Sequence, residues 1–397
     1  MTNLFFVLFL SSLIHSHTSS ASHNNSFLTR RFTSAPSAIV KKYNVVRHFG
    51  ANNDGKTDTT QPFLNAWNAA CSKSIPVQIT VPMGYYFLNP LIFKGPCKSS
   101  VSFIIGGKFF TGNNYSSNHW ISFMNVDGLL IKGGVLDANG KKLWDCKNAG
   151  RSCPKGAMSL SFISSKNIVI DGLTSANSQM FHIGMHLCEN INMQGITISA
   201  DGNSPNTDGI HLQDTKGVTI TNSRIMTGDD CISMAGGIQN VWIENIFCGP
   251  GHACTIGSLG HDGEEGILVQ NVTVKSTTFV STQNGVRIKT LSTPINGNVK
   301  DIYFLGAIMK NARNPIFIDQ NYCPSNTCEK GQGSGIQISN VVYKDIHGTS
   351  SSANIVIFNC SPKKPCNTLQ LQDVKLSYQS GTSKYYGRFM PFFKIKR

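Results

Sequence analysis

The feature that most constrains the fold is a repeat of short strand-like segments, which begins at about residue 160. Each unit starts with a small or polar residue, continues with Asn or Gly, and then alternates apolar with other positions. The first apolar residues of the first four units are 23, 27 and 23 residues apart, and lie at Ile168, Ile191, Val218 and Val241. Later units, about 27 to 34 residues apart, begin near Leu268, Ile302, Ile336 and Leu369.

Units of this length hold two or three β-branched strands broken by Gly or Asn, and they leave no room for a helix. A drifting period of about 20 to 35 residues is typical of a solenoid, in which each coil stacks on the last. A β-sandwich is the alternative, because its turns recur at roughly 8 to 12 residues. The longer period favours an all-β fold, a right-handed parallel β-helix.

The composition excludes several other classes of protein. Charged residues make up 14% of the 397 residues, against about 25% in an average soluble domain. Hydrophobic residues make up 40%, which is too many for a disordered chain. The 35 Lys and Arg against 21 Asp and Glu give a formal charge of +14, which suits an acidic partner.

The N-terminus predicts the compartment. Residues 4–14 form an apolar run too short to span a bilayer, and small polar residues follow it, so residues 1–22 are predicted to be a secretory signal peptide. No second apolar run approaches the length of a membrane span. Twelve Cys fit an oxidising compartment. Glycosylation sequons occur at Asn24, Asn114, Asn271 and Asn359.

The remaining chain divides into three parts: a polar and basic lead-in over residues 23–42, a β-helix domain over 43–380, and an aromatic and basic tail over 381–397 that breaks the repeat pattern. The open end of a solenoid must be covered, and a helix predicted over residues 59–73 supplies the N-terminal cap. Asp58 or Thr59 is expected at its N-cap, with Pro62 in the first turn. Its apolar face comprises Phe63, Leu64, Trp67 and Ala70.

The cysteines have no C-x-x-C pair and no His at ligand spacing, so they do not indicate zinc. Close spacing predicts local disulfides between Cys146 and Cys153, Cys323 and Cys328, and Cys360 and Cys366. Longer pairs are predicted between Cys71 and Cys97 and between Cys231 and Cys248. Cys188 and Cys254 remain, and the sequence leaves open whether they form a pair or stay free.

Acidic residues and a histidine recur at the length of one coil. Asp208 is 21 residues before Asp229, and Asp229 is 23 residues before His252, so these residues and Asp230 should stack on neighbouring coils. Parallel strands lie about 4.8 Å apart, so carboxylates on adjacent coils could reach the roughly 6.5–9.5 Å separation of inverting glycosidases. Gly228 would allow a bend that brings both Asp229 and Asp230 to the surface. Neighbouring carboxylates also raise one another's proton affinity.

The next coil carries two cations, Arg287 and Lys289, in the strand-like segment GVRIKT. Strand alternation places both side chains on one face and buries Ile288. Each residue alone would be an ordinary surface charge. Four consecutive coils that present acids, a histidine and cations in the same phase instead predict a site for a carboxylated substrate, since Arg can bind a carboxylate with two hydrogen bonds.

An ordered set of motifs resembles the plant polygalacturonases, pectin-cleaving members of glycoside hydrolase family 28 with a right-handed parallel β-helix. The resemblance runs from about residue 43 to 378, through FGANNDGKTDTT, SPNTDGIHL, TGDDCIS, CGPGH, VRIKT and IDQNYC. It implies inverting hydrolysis of α-1,4-galacturonan, with no cofactor and no metal. Endo-type attack is favoured, and exo-type attack is the alternative.

The resemblance also implies a role for each site residue. Asp229 would be the general acid, Asp208 and Asp230 would hold and activate the attacking water, and His252 would support the protonation of the acid. Arg287 and Lys289 would bind the galacturonate carboxylate, and Tyr322 would line the sugar site.

Three departures from the family pattern bear on activity. Ala253 follows His252 where the family has Gly, which predicts backbone strain beside the histidine. The loop after VRIKT lacks the usual Trp, and the closing cysteine pair is missing. A silent pectin-binding wall protein is therefore one alternative. A calcium-dependent pectate lyase, with an Asp cluster on the metal and an Arg as base, is another.

The resemblance and the charge together predict the partner. Pectin is a polyanion, and a basic surface would concentrate the enzyme on it. The secretory signal argues against nucleic acid, and the absence of a basic amphipathic helix argues against membrane binding. We expect a monomer, secreted to the cell wall or apoplast.

Overall fold

A computed structural model describes residues 40–112, 117–324 and 333–396. These residues contain three helices, α1 (Val45–Phe49), α2 (Thr60–Cys71) and α3 (Lys141–Asn148). Their strands are β1 (Lys41–Asn44), β2 (Asp54–Asp58), β3 (Val77–Val81), β4 (Tyr85–Phe87), β5 (Leu91–Lys94), β6 (Val101–Phe110), β7 (His119–Met124), β8 (Asp127–Asp137), β9 (Met158–Ile163), β10 (Lys166–Asp171), β11 (Thr174–Ala176), β12 (Ile183–His186), β13 (Glu189–Gln194), β14 (Thr197–Ser199), β15 (Ile210–Gln213), β16 (Lys216–Met226), β17 (Ile232–Met234), β18 (Ile238–Cys248), β19 (Cys254–Leu259), β20 (Ile267–Lys275), β21 (Thr278–Val280), β22 (Asn284–Leu291), β23 (Gly297–Leu305), β24 (Ile308–Ala312), β25 (Asn314–Tyr322), β26 (Ile336–Ser350), β27 (Asn354–Asn359), β28 (Asn367–Tyr378), β29 (Lys384–Arg388) and β30 (Phe393–Lys396).

Parallel pairing organises these strands into two sheets, one of 19 strands and one of 11 among the described residues. The order of the smaller sheet is β5-β7-β9-β12-β15-β17-β19-β22-β25-β27-β29, so each coil contributes one strand and the next coil pairs beside it. Strands that stack in chain order through parallel pairs make a parallel β-helix. The smaller sheet, which carries the site described below, is called the cleft sheet.

The predicted repeat corresponds to one interior row of the larger sheet. Ile168 pairs with Ile191, Ile191 with Val218, and Val218 with Val241, as the spacing predicts. Each of these four side chains is at most 3% exposed, and burying such a side chain contributes about 1.5–3 kcal/mol. The row is therefore a main source of stability.

The row continues through Val272, Ile302, Val341 and Leu369. Two units begin near Leu268 and Ile336 as predicted, but neither of these residues lies in the row. Leu268 pairs with Asn298 and Ile336 with Gly297, at the starts of their strands. Because β20 and β26 contain several apolar positions before the turn, the first apolar residue of each unit is not the one in the row.

Asparagines occupy bends within the long strands for a conformational reason. Asn222 and Asn245 both have φ above +50°, a left-handed conformation that Asn tolerates better than most residues. Asn245 Nδ2 donates to Asn222 Oδ1 at 2.7 Å on the coil before it. The residues with which the units begin, Asn167, Asn190, Gly217 and Asn240, share this left-handed conformation, which explains why the repeat begins with Asn or Gly.

The N-terminal cap is the predicted helix, shortened to Thr60–Cys71. Phe63, Trp67 and Ala70 are buried as expected, and Trp67 Nε1 donates to the backbone oxygen of Lys94 in β5 at 2.8 Å. Leu64 is only partly buried against the core, whereas Ala66 is fully buried. The helix therefore covers the first coils through a face rotated slightly from the predicted one.

The helix α2 begins at Thr60, close to its predicted N-cap. Thr59 occupies the N-cap without a side-chain hydrogen bond, while Asp58 Oδ1 accepts a hydrogen bond from the backbone N–H of Thr60 at 2.9 Å.

Disulfides join Cys71 to Cys97, Cys146 to Cys153, Cys231 to Cys248 and Cys360 to Cys366, as predicted. Cys323 is in a disulfide, and its predicted partner Cys328 lies outside the described residues. Cys188 and Cys254 are free and buried.

Residues 381–397 differ from the expectation of a tail outside the repeat. Within them β29 pairs with β27 and β30 pairs with β28, and Phe393 pairs with Leu369 in the interior row. Exposed aromatic and basic side chains mask the coil pattern in this sequence. The predicted signal peptide, most of the lead-in, and Asn24 and Asn114 lie outside the described residues. Among the described helices, none has the length and apolar character needed to cross a membrane.

Candidate active site

The predicted site residues all lie on the cleft sheet or in the turns that lead into it. Asp208 precedes β15, Asp229 and Asp230 precede β17, and His252 precedes β19. Arg287 and Lys289 are in β22, and Tyr322 ends β25. All seven line one open cleft with an empty volume of about 1280 Å³. Spacing by one coil therefore brings them together as predicted.

Asp229 and His252 form the most direct contact in the cleft. The imidazole Nδ1 lies 2.9 Å from Asp229 Oδ1, and the backbone N–H of Asp230 donates to the same oxygen at 2.8 Å. This hydrogen bond raises the pKa of His252 above its usual value. Burial opposes ionisation of Asp229, but the hydrogen bond and charge of His252 outweigh it and lower the pKa of that carboxyl. These opposite shifts favour an ion pair of imidazolium and carboxylate in the free cleft.

Asp230 is held in a different environment and is only 2% exposed. Thr255 Oγ1 donates to Oδ1 at 2.7 Å, and Lys289 Nζ lies 3.3 Å from Oδ2. Burial raises the pKa of Asp230 despite the opposing charge of Lys289, and Asp208 and Asp229 raise it further. The expectation that a bend brings both adjacent acids to the surface holds for the half-buried Asp229 only.

Asp208 has partners that the sequence analysis did not identify. Ser233 Oγ donates to Asp208 Oδ2 at 2.6 Å, and His211 Nδ1 lies 2.8 Å from Ser233 Oγ. Because the Ser233 hydroxyl donates its hydrogen bond to Asp208, its oxygen can accept a hydrogen bond from His211. Phe181 stacks on the His211 ring with centroids 4.4 Å apart. The available signal for His211 and Ser233 was strand alternation, since each lies between two buried apolar residues of its strand, but this pattern resembles any outward-facing strand position.

The cations of β22 are held by aromatic rings. The Arg287 guanidinium lies 5.0 Å from the Tyr322 ring centroid and 5.3 Å from that of Phe317, and Lys289 Nζ lies 5.3 Å from the Tyr322 ring. Ile288 between them is buried, as alternation predicts. Arg287 lines the cleft, where its guanidinium can bind a carboxylate that enters. Its buried Nε has no hydrogen-bond partner among the described residues.

The backbone around the acids is closely packed, and it is not strained at Ala253. Ala253 is fully buried and is absent from the described residues with positive φ, so the expected strain beside His252 is wrong. The position that needs Gly is Gly251, with φ of +135°. Gly228 is needed for space instead, because a Cβ there would lie 2.2 Å from the backbone oxygen of Ser204.

A metal ion would have to share this cleft with fixed protein cations. The ligand atoms of Asp229, Asp230 and His252 lie within 4.8 Å of one another. However, His252 already donates to Asp229, and the ammonium of Lys289 lies beside Asp230. Ca²⁺ takes about six to eight oxygen ligands. This donor set suits proton transfer better than calcium binding.

Comparison with known proteins identifies the class. Residues 71–387 match the model of the glycosyl hydrolases family 28. The chain is 52% identical over 344 residues to a polygalacturonase of Prunus persica, which covers 85% of this chain and 87% of that protein. It is 40% identical to an exopolygalacturonase of Platanus acerifolia, over 84% of this chain and 90% of that protein. The chain belongs to glycosyl hydrolases family 28, as predicted.

Solved structures confirm the predicted right-handed parallel β-helix. An endo-xylogalacturonan hydrolase from Aspergillus tubingensis superposes with a TM-score of 0.74 at 22% identity, over 89% of this chain and 96% of that chain. An exopolygalacturonase from Thermotoga maritima gives 0.72 at 18% identity, over 90% and 93%. Endopolygalacturonase I from Stereum purpureum, solved with two galacturonate molecules, gives 0.62 at 20% identity, over 82% and 98%.

Proposed function

We propose that this protein hydrolyses the α-1,4-galacturonosidic bonds of pectin by an inverting acid–base mechanism. The observation that carries the proposal is one cleft in which three aspartates and a histidine face two fixed cations. Carboxyl groups this close together can donate a proton to a glycosidic oxygen and accept one from a water molecule. Arg287 and Lys289 suit a sugar that bears a carboxylate. Family membership and the polygalacturonases among the relatives support the same function.

In this mechanism Asp229 protonates the leaving oxygen. Its proton lies on His252 in the free cleft and has to move along the 2.9 Å hydrogen bond. A bound sugar chain excludes water, and loss of water favours the neutral forms of both partners over the ion pair. Substrate binding therefore transfers the proton to Asp229 at the point where it is needed.

Asp208 and Asp230 hold and activate the attacking water. Ser233 and Thr255 each donate a hydrogen bond to one carboxylate oxygen, which fixes the orientation of that carboxyl and leaves the other oxygen of each acid for different partners. The pKa of Asp230 is raised by burial, so this acid also accepts a proton more readily than an exposed aspartate. These contacts position the two acids and turn one of them into a stronger base.

The two alternatives are less well supported. The silent binding protein was motivated by Ala253 and the atypical tail. Ala253 has an ordinary backbone conformation, and the tail strands β29 and β30 pair with the preceding coil. The lyase needs a bound calcium ion beside the aspartates, where Lys289 Nζ lies 3.3 Å from Asp230. Both observations favour a competent hydrolase.

The setting of the reaction follows from the proposed substrate. We place the protein outside the cell, in the wall or apoplast, as a monomer that meets pectin directly. Endo-type attack is favoured and exo-type attack is the alternative, since one of the relatives is named an exopolygalacturonase. Sizing of early products distinguishes them, because endo attack releases oligomers first and exo attack releases monomer only.

The function is tested by incubating the purified protein with polygalacturonate, with and without a chelator. We expect new reducing ends in both samples and no ultraviolet-absorbing unsaturated ends. Unsaturated ends that vanish with the chelator would instead identify a lyase. Binding to polygalacturonate without any reducing ends would identify a silent wall protein.

A further inference from the structure

Two rows of outward-facing side chains run from the cleft towards the last strand of the cleft sheet. Strand register defines the first row as Arg287, Phe317, Ile357 and Tyr386. It defines the second row as Lys289, Asp319, Asn359 and Arg388. The residues that alternate with them in β22, β25 and β27 are buried, namely Ile288, Ile318 and Phe358. The rows therefore form one continuous outer surface that begins at the substrate-binding cations.

The far end of these rows carries an exposed aromatic ring beside an exposed cation. Tyr386 is 46% exposed, and Arg388 forms no ion pair with any described carboxylate. The Arg388 guanidinium lies 5.8 Å from the centroid of the Phe389 ring. No Asp or Glu occurs after Asp373 in the sequence. This corner of the surface is therefore basic and aromatic, a chemistry that suits a carboxylated sugar.

The distance between the two ends suits a polymer rather than a single sugar. Arg287 and Tyr386 are three strand pairs apart, or about 14 Å at the usual spacing of parallel strands. Phe317 and Ile357 lie between them and are half-buried, so the first row offers an uncharged path. Asp319 is the acidic member of the second row, and its Oδ1 accepts hydrogen bonds from Asn359 Nδ2 at 2.8 Å and from the backbone N–H of Asn321 at 3.1 Å. Its charge is thus partly compensated by the protein.

We propose that Tyr386 and Arg388 form a distal subsite for a polygalacturonate chain whose other end occupies the cleft. The Tyr386 ring would contact the face of a sugar, and Arg388 would bind its carboxylate. The inference rests on the proposed function and extends it to residues 381–397, which the sequence analysis left without a role. It makes the protein selective for chains long enough to reach from the cleft to β29.

The test compares kinetic constants on long polygalacturonate and on trigalacturonate for Tyr386→Ala, Arg388→Gln and Arg388→Glu. Loss of one exposed stacking or ionic contact should raise KM for the long chain about three- to tenfold, with kcat unchanged. Arg388→Glu should give the largest increase because it adds repulsion. The increase should disappear with trigalacturonate, which is too short to span both ends of the surface.

Two control variants separate the subsite from general effects. Tyr385→Ala removes the neighbouring ring, whose register partner Val356 is buried, so Tyr385 lies on the opposite face of the strand. Lys394→Ala removes one positive charge from β30, which pairs in the other sheet. Both should leave KM for the long chain within twofold of wild type.

Unchanged KM for the long chain in all three test variants would overturn the distal subsite. An equal increase in the controls, or an equal increase on trigalacturonate, would overturn it as well. These results are distinguishable from failure of the proposed function, in which the wild-type protein itself would release no reducing ends from polygalacturonate.

Discussion

At the scale of single residues, each aspartate in the cleft has a different partner. His252 bonds to Asp229, Lys289 and Thr255 contact Asp230, and Ser233 bonds to Asp208. Burial raises the pKa of Asp230 against the opposing effects of Lys289 and Thr255, whereas at Asp229 the hydrogen bond and charge of His252 outweigh burial and lower the pKa. Carboxyls whose environments separate their proton affinities can divide the acid and base roles between them.

Replacing Asp229 with Asn should abolish most turnover. The change removes the transferable proton and little of the shape, so kcat should fall by about 10²–10⁴-fold, the usual contribution of general acid catalysis, while affinity for polygalacturonate stays nearly constant. Steady-state kinetics and a binding titration measure the two quantities. Asp214→Asn, on a neighbouring turn outside the cleft, is the matched control. Near-wild-type kcat in Asp229→Asn would contradict the assignment of the acid.

The Asp229–His252 pair should also make stability depend on pH. The pKa of His252 is raised above 6.5 by its bond to Asp229, so its contribution is complete below about pH 6.5 and is lost as the pH rises through the raised value. The pKa of Asp229 is lowered from 3.8, so its contribution is complete above about pH 3.8 and is lost as the pH falls through the lowered value.

We therefore expect Tm to decline above pH 6.5 in the wild type and to decline less in His252→Gln, which keeps a donor without the titration. His261→Gln, at the rim of the cleft, removes an imidazole without touching the pair and should retain the wild-type profile. Identical pH profiles for His252→Gln and the wild type would show that the pair contributes nothing to folding.

The sequence could predict the acids but not all of their partners. Asp208, Asp229 and His252 stand one coil apart, and stacking converts that spacing into proximity. Ser233 and Thr255 occupy ordinary alternating positions of β17 and β19, and only the register of neighbouring coils shows that they reach Asp208 and Asp230. The direction of a side chain in a turn cannot be predicted from the sequence either, which is why the exposure of Asp230 was predicted wrongly.

At the scale of an element, the turn before β17 depends on close packing of backbones. Ser204 belongs to the preceding coil, and its backbone oxygen and nitrogen would lie 2.2 and 2.5 Å from a Cβ at Gly228. Ser204 Oγ and Thr207 Oγ1 are hydrogen-bonded to each other at 2.7 Å beneath this turn. The turn that presents Asp229 therefore has no room to move away from its neighbour.

Gly228→Ala should thus displace the catalytic turn. Overpacking of this kind costs about 1–3 kcal/mol of unfolding free energy, and kcat should fall along with stability because Asp229 moves. Urea denaturation and kinetics measure both effects. Gly236→Ala is the control, since a Cβ there meets only the Ile267 side chain at 3.6 Å. If Gly228→Ala matched the control in stability and kcat, the packing explanation would be wrong.

Some strands could be predicted from the sequence pattern, and others could not. The spacing of Ile168, Ile191, Val218 and Val241 translates directly into strand pairs because each coil has a similar length. The strands β29 and β30 were not predicted because exposed aromatic residues such as Tyr385 and Phe392 hide the alternation that marks the other coils. Pairing with β27 and β28, rather than local sequence, determines that they are strands.

At the scale of the whole molecule, the charge of +14 and the acidic substrate act together. Long-range attraction between a basic surface and a polyanion raises the local substrate concentration and is screened over about 8 Å at physiological salt. The distal subsite would add a local contribution to binding at one edge of this basic surface. A long chain meets many more surface charges than a short oligomer does.

Ionic strength should therefore affect long and short substrates differently. Between low salt and about 0.5 M NaCl, KM for polygalacturonate should rise severalfold, while KM for trigalacturonate should rise less because most of its contacts lie in the partly buried cleft. Kinetics at constant pH and matched substrate concentration provide the measurement. An equal salt effect on both substrates would show that surface attraction has no part in binding.

The central claim is that the three aspartates and His252 perform inverting hydrolysis of galacturonan. Proton NMR of the products in the first minutes of reaction, before mutarotation, tests this most directly. Inversion at an α-1,4 linkage predicts that the new reducing ends appear first as the β-anomer and equilibrate later. The α-anomer as the first product would mean retention of configuration and would contradict the account.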